Sequence, residues 1–261
     1  MVIKNSQLLA FANSFVNESR KILKKNYFNN FKIEKKLDGS LVTNIDKQIE
    51  ELFRKKLKSK FPDHGIIGEE YGNCNSENEY VWIIDPLDGT HSFISGKPLF
   101  GTLLCCTKRR KPIIGIIDMP ILNQRWSGGE LLGVKMNNKH CRYLKKNKKL
   151  NESIISSTSL LMFKDKHMKK IKEIFKKFQF PIFGTDCYAY GLLLSGKIDV
   201  IVEATMKPWD YMAQAALFKE LGASISDWEG NDLDINSDGK VVASYCKSNH
   251  KKLLSYLKQI E

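Results

Sequence analysis

The stretch that most constrains this chain is WIIDPLDGT, residues 82–90. Trp82, Ile83 and Ile84 read as the end of a buried central strand, and Asp85 and Asp88 follow at once. Pro86 lacks the amide hydrogen a sheet ladder needs, so the strand is expected to stop there. Asp85 and Asp88 then lie in a tight turn beyond it. Gly89 permits a backbone conformation that other residues resist, and Thr90 opens the next element. Free amides at such a start favour phosphate. Two carboxylates held close together repel each other, and a divalent cation would offset that repulsion. An all-oxygen donor set with no nearby His or Cys favours a hard ion, Mg2+ before Zn2+. A turn closed by an Asx cap accounts for the same spacing without an ion.

Other acids sit in similar settings. Glu69 and Glu70 follow the apolar pair Ile66-Ile67, where solvated surface is the plainer explanation. Asp210 follows Lys207-Pro208-Trp209 at the head of a helical pattern, which suits an N-cap; a cap carboxylate can also face a cation. Thr43 and Asp46 head another helical pattern, as a cap or as a catalytic pair.

The periodicity predicts helices over 4–27 and 46–61, then strands over 80–84, 99–107, 112–118 and 124–127. Helices return at 166–178, 187–195, 210–221 and 250–260, interleaved with strands at 200–203, 223–226 and 241–245. Helices first, then consecutive strands, then alternation, imply an α+β chain built in layers. A Lys- and Asn-rich seam at 145–153 divides it into halves of 1–148 and 149–261.

The net charge of +13 raises the question of a basic nucleic-acid-binding or scaffold protein. The lysine pairs, among them Lys24-Lys25, Lys145-Lys146, Lys176-Lys177 and Lys251-Lys252, are spread along the whole chain rather than gathered on one face. Such a surface speaks to solubility and to steering of an anionic substrate, and no nucleic-acid partner is expected. The six cysteines include no CxxC, which argues against zinc and thioredoxin-like sites and for reduced thiols. The first 15 residues lack a long apolar core and a small-residue cleavage site, and no stretch approaches the roughly 18–20 apolar residues of a membrane span. A cytoplasmic protein without a membrane partner is expected. The run 234–239 copies half of an EF-hand loop, but Tyr245 stands where the bidentate Glu belongs.

Taken together, Gly68-Glu69-Glu70, residues 82–90 and Trp209-Asp210 resemble the inositol monophosphatase family of Mg2+-dependent phosphatases, in family order and at family-like separations. The runs KLDGSLVT at 36–43, HSFISGKPLFGT at 91–102 and GTDCYAY at 184–190, with Asp227-Trp228, resemble its histidinol-phosphate phosphatase branch over nearly the whole chain. His91 departs from the Lys or Arg common there. The resemblance implies a layered α/β/α/β/α sandwich, a homodimer, two or three Mg2+ ions per site and a small phosphorylated substrate. Histidinol phosphate leads; inositol phosphate or another sugar-alcohol phosphate is the alternative. It further implies that Glu69, Asp85 and the Leu87 carbonyl hold one ion, and Asp85, Asp88 and Asp210 a second. A third, weaker ion leans on Glu69 through water. Thr90 with Asp46 would activate the attacking water, the amides of Gly89 and Thr90 would hold phosphate, and Glu203 and Asp186 would face the alcohol portion.

Overall fold

The computed structural model describes residues 3–37, 39–142 and 148–260. Asp38 of the KLDGSLVT run, the Lys145-Lys146 pair and the first residues of the seam at 145–153 lie outside the described residues. In chain order, α1 (Asn5–Asn26) is followed by a hairpin of β1 (Ile33–Lys35) and β2 (Leu41–Thr43), and by α2 (Asn44–Lys60). Then come β3 (Gly65–Gly68), β4 (Gly72–Cys74), β5 (Tyr80–Asp88), the single-turn α3 (Thr90–Ile94), β6 (Gly101–Lys108) and β7 (Lys111–Met119). The strands β8 (Gln124–Gly129), β9 (Gly133–Met136) and β10 (Lys139–His140) complete an eight-stranded sheet ordered β10-β9-β8-β7-β6-β5-β3-β4. Every pair in it is antiparallel except β3 with β5.

The remainder supplies β11 (Ile154–Ser157), α4 (Met168–Phe175), β12 (Phe180–Phe183), α5 (Tyr188–Leu194), β13 (Val200–Glu203) and α6 (Pro208–Leu221). It ends with β14 (Ser224–Ser226), β15 (Val241–Ser244) and α7 (Lys247–Leu257). Its five strands form a mixed sheet ordered β12-β11-β13-β15-β14.

Strand alternation sorts the core. In β6, Leu104 and Cys106 face α1 and α2, where they meet Phe15, Ile49 and Phe53. Leu103 and Cys105 face the other way, toward α5 and α6, where Tyr190, Leu217 and Phe218 lie. The adjacent cysteines therefore serve different cores. α6 is apolar all round, and residues Tyr211 to Phe218 are all buried, because sheets cover it on both sides. The outer face of the five-stranded sheet, with Val200, Val202 and Val242, packs on α4 and α7 through Ile171, Phe175, Leu253 and Leu257. The order is helices, sheet, helices, sheet, helices, the layered α+β fold expected.

Two local expectations fail. β5 does not stop at Pro86 but runs through to Asp88, with a register shift against β6 between Asp85 and Asp88. A bulge suspends the ladder where proline has no hydrogen to give. The Thr102 hydroxyl meanwhile donates to the Pro86 carbonyl at 2.9 Å. Asp210 is not the N-cap of α6; Lys207 is, and Asp210 sits in the first turn and accepts the Lys207 amide at 2.7 Å. Pro208 at the first helical position has no amide to satisfy and so moves the start of the helix back by two residues. The short strands β1, β2, β3, β4, β9, β10, β11 and β12 carry too few residues to show a period of two, and the periodicity did not predict them.

Candidate active site

The bulge sets the site. The Leu87 amide donates to Asp85 Oδ1 at 2.9 Å, which closes an Asx turn and fixes that carboxylate. Gly89 then takes φ of +80°, and α3 starts at Thr90. A side chain at Gly89 would place its Cβ 2.9 Å from the Leu99 carbonyl oxygen. The Thr90 hydroxyl donates back to the Leu87 carbonyl at 3.0 Å.

Asp210 reaches the same place from the far half of the chain. Asp85, Asp88 and Asp210 each offer a carboxylate oxygen, and the three lie within 4.8 Å of one another. Asp85 is buried and the other two are half-buried. Burial pushes all three carboxyls up, and their neighbours add to it. For Asp85 these are Glu69, Asp88 and Asp210; for Asp210, Asp88 comes first. Asp88 rises to about 7, through burial and then the nearby Asp186. Such a group of carboxylates is short of positive charge.

Glu69 stands beside Asp85, but its carboxylate is taken by Lys36 Nζ at 2.9 Å, and the same ammonium meets Glu70 at 2.8 Å. Asp46 is the third residue of α2 in a capping box with Thr43, whose amide donates to Asp46 Oδ2 at 2.9 Å and whose hydroxyl donates to the same oxygen. Burial lifts Asp46 to about 6. Among the described residues no hydrogen bond joins Asp46 to Thr90. Asp46 and Asp210 thus hold equivalent places in their helices, each with one oxygen spent on the helix start.

Asp186 lies beside Gly89. Its φ is +46° and its Oδ2 accepts the Ser92 hydroxyl at 2.7 Å. The next amide, of Cys187, donates to Asp88 Oδ2 at 2.8 Å and so ties α5 to the acids. Glu203 ends β13, buried, and accepts the Thr158 amide at 2.9 Å and the Thr158 hydroxyl at 3.0 Å. Burial raises it to about 8. His91 is exposed.

Sequence reasoning gave Glu50 no role. Its side chain is fully buried on the stripe of α2 that also carries Asp46. Its carboxylate accepts the amides of Glu70 at 2.8 Å and Tyr71 at 3.1 Å, and pairs with Arg54 at 2.7 Å. A Cβ at Gly68 would fall 2.1 Å from Glu50 Oε1, so only glycine lets the carboxylate reach those amides. The visible signal was a Glu on an apolar helix face four residues before an Arg.

Comparison with known proteins agrees with this geometry. A sequence profile of the inositol monophosphatase family matches residues 4–261. The chain is 36% identical to the chloroplastic bifunctional phosphatase IMPL2 of Arabidopsis thaliana, over 90% of this chain and 68% of that one. It is 31% identical to the histidinol-phosphatase of Chlorobaculum parvum, over 80% of this chain and 81% of the other. Its fold superposes on an inositol monophosphatase structure from Zymomonas mobilis with a TM-score of 0.88 and 28% identity, covering 98% and 100% of the two chains.

Proposed function

This chain belongs to the inositol monophosphatase family of phosphatases, and from that premise we propose that it is a Mg2+-dependent phosphomonoesterase acting on L-histidinol phosphate. The observation that carries the proposal is the meeting of Asp85, Asp88 and Asp210 within 4.8 Å. The donor set fits a hard divalent cation: it is all oxygen, negatively charged and short of a counter-charge. Asp85, Asp88 and Asp210 would hold one ion, and Asp85 with Glu69 and the Leu87 carbonyl another. When bound, such ions supply Lewis acidity and charge neutralisation beside the phosphoryl group.

The chain's own groups do the rest. The turn at Gly89 and Thr90 would offer the amides of a helix start to the phosphate oxygens. The Thr90 hydroxyl, anchored on the Leu87 carbonyl, would orient water, and Asp46, lifted to about 6, would receive a proton near neutral pH. No side chain need act as nucleophile: Cys105 and Cys106 are buried in strand cores, and burial pushes both thiols up. The halves 1–148 and 149–261 act as one catalytic unit, because Asp85 and Asp88 come from the first and Asp210 from the second.

Asp186, beside Gly89, favours histidinol phosphate over inositol phosphate. Histidinol carries an amine and an imidazole that a carboxylate attracts, and a neutral polyol carries neither. Similarity to a histidinol-phosphatase supports the same choice. The test is steady-state phosphate release from both esters. Activity is expected to vanish on metal removal and return with Mg2+, with the higher kcat/KM for histidinol phosphate. A higher kcat/KM for inositol 1-phosphate would overturn the substrate assignment, and activity surviving full metal removal would overturn the mechanism.

A further inference from the structure

A cavity of about 690 Å³ opens at the other end of α6 from Asp210. Ala215 and Lys219 of α6 and Gly222, which caps its C-terminus, form one wall. Asp210 and Gly222 are twelve residues apart, roughly 18 Å of helix. The turn between β6 and β7 forms another wall, and β5 puts a similar length of strand between that turn and Asp85. The cavity is therefore separate from the acidic site.

Five cations line it: Arg109, Arg110 and Lys111 from the turn, Lys219 from α6 and Lys247 from the start of α7. Two acids, Asp232 and Asp234, face them. The Asp234 carboxylate is spent on its own turn, where it accepts the Asn236 amide at 2.7 Å. Arg109 and Arg110 pair with Glu79 and Glu77, all four well exposed, so those pairs hold the guanidinia weakly. Lys111, Lys219 and Lys247 make no ion pair among the described residues. The amides at the start of the eleven-residue α7 add partial positive charge.

His250, 8% exposed, lines the cavity, and its Nε2 is within hydrogen-bond reach of the Ser226 hydroxyl at 2.9 Å. Its Nδ1 is buried with no hydrogen-bond partner. The Ser226 hydroxyl donates to the Asp227 carbonyl at 2.7 Å, so Nε2 carries the proton of the neutral ring and Nδ1, sealed from the cavity, offers an anion no hydrogen. Pro112, Ala223, Ile225 and Leu233 add apolar surface. The volume falls within the roughly 300–1,000 Å³ of small-molecule sites.

We propose that this cavity is a second ligand site, distinct from the acidic centre, that binds a small organic molecule carrying two or more phosphate groups. Cations grouped on a turn and on two helix ends suit more than one phosphate, and the apolar floor suits the carbon body that joins them.

The experiment uses the full chain stripped of metal, so that the acidic centre repels anions, with inorganic pyrophosphate as the probe of the charged part of the site. Titration calorimetry is expected to give about one site per chain. Lys219→Glu/Lys247→Glu changes exposed side chains and should weaken binding at least tenfold at an unchanged melting temperature. Lys24→Glu/Lys169→Glu makes the same change in net charge elsewhere and should alter affinity less than twofold. Asp88→Asn should bind like the unaltered protein, and inorganic phosphate should bind at least tenfold more weakly than pyrophosphate. Absence of binding, equal losses in the two charge-reversed proteins, or dependence on Asp88 would overturn the site. Equal affinity for phosphate and pyrophosphate would overturn the ligand class.

Discussion

At the scale of single residues, the site is a set of like charges held together by hydrogen bonds spent elsewhere. Asp85 is fixed by the Leu87 amide, Asp88 by the Cys187 amide and Asp210 by the Lys207 amide. Replacing Asp88 with Asn keeps that shape and removes one charge. Asp88→Asn is expected to lower kcat by about 10²–10³-fold, the cost of losing one group that balances charge in the transition state. Its melting temperature without metal should be unchanged or higher, because a repulsive carboxylate has gone. Phosphate release and a thermal melt check both, and near-normal turnover in saturating Mg2+ would remove Asp88 from the site. Glu50 is a positioning residue: it holds the amides that follow Glu69 and touches no substrate. Glu50→Gln should raise the Mg2+ concentration for half-maximal activity about 10-fold, with kcat at saturating Mg2+ little changed. A loss in kcat alone would contradict that role. The acids were legible in the sequence as candidates, since Asp85 and Asp88 share one turn and Glu69 and Asp210 recur in similar settings, although an Asx turn alone would explain the first pair. Glu50 was not, because a buried glutamate is recognised only by the amides it meets, and those lie 20 and 21 residues away in the chain.

At the scale of elements, the unit that matters is bulge, left-handed glycine and one-turn helix. The bulge leaves both acids on one strand yet turns their carboxylates toward a common point, which a regular strand would not do. Gly89→Ala forces a left-handed backbone on a residue with a Cβ and drives that Cβ against the Leu99 carbonyl. It should cost about 1–3 kcal/mol of stability and reduce turnover. Denaturant unfolding beside phosphate release measures both, and an unchanged midpoint would show that the turn relaxes freely. The sequence pointed to a strand, a turn and the start of a new element at Thr90, but the five residues of α3 were too few to show a helical period. It placed the strand end too early because a proline normally stops a ladder, and whether a bulge receives it depends on the register of β6, 15 residues further on. Asp210 was likewise assigned to the cap because the choice between cap and first turn rests on where Pro208 allows the helix to begin.

At the scale of the molecule, five layers bring the two halves against each other, and the acids meet between them. The metal-free site works against folding at neutral pH. Asp46, Asp88 and Glu203 are raised to about 6, 7 and 8, chiefly by burial, from about 4 in an unfolded chain. Between those limits the folded chain holds more protons than the unfolded one, so stability falls as pH rises from about 4 to 8, most steeply below 6 where all three groups contribute, and is regained on acidification. The melting temperature of metal-free protein is expected to drop between pH 6 and 8, and Mg2+ to raise it more at pH 8 than at pH 6. A flat metal-free profile would contradict the burial of these carboxyls. Among the described residues, no helix is long and apolar enough to cross a membrane. What the sequence determined by itself was local: the periods of the long helices and strands, and the clustering of acids, glycine and proline that marks the turn. These depend on neighbours a few residues apart. The tertiary structure alone decided that Asp210 stands beside Asp85 and Asp88, that Lys36 holds Glu69, and that cations from a hairpin and two helices ring one cavity. Those are distances between remote parts of the chain, fixed only when the layers stack and the buried faces of α2 and α6 are covered.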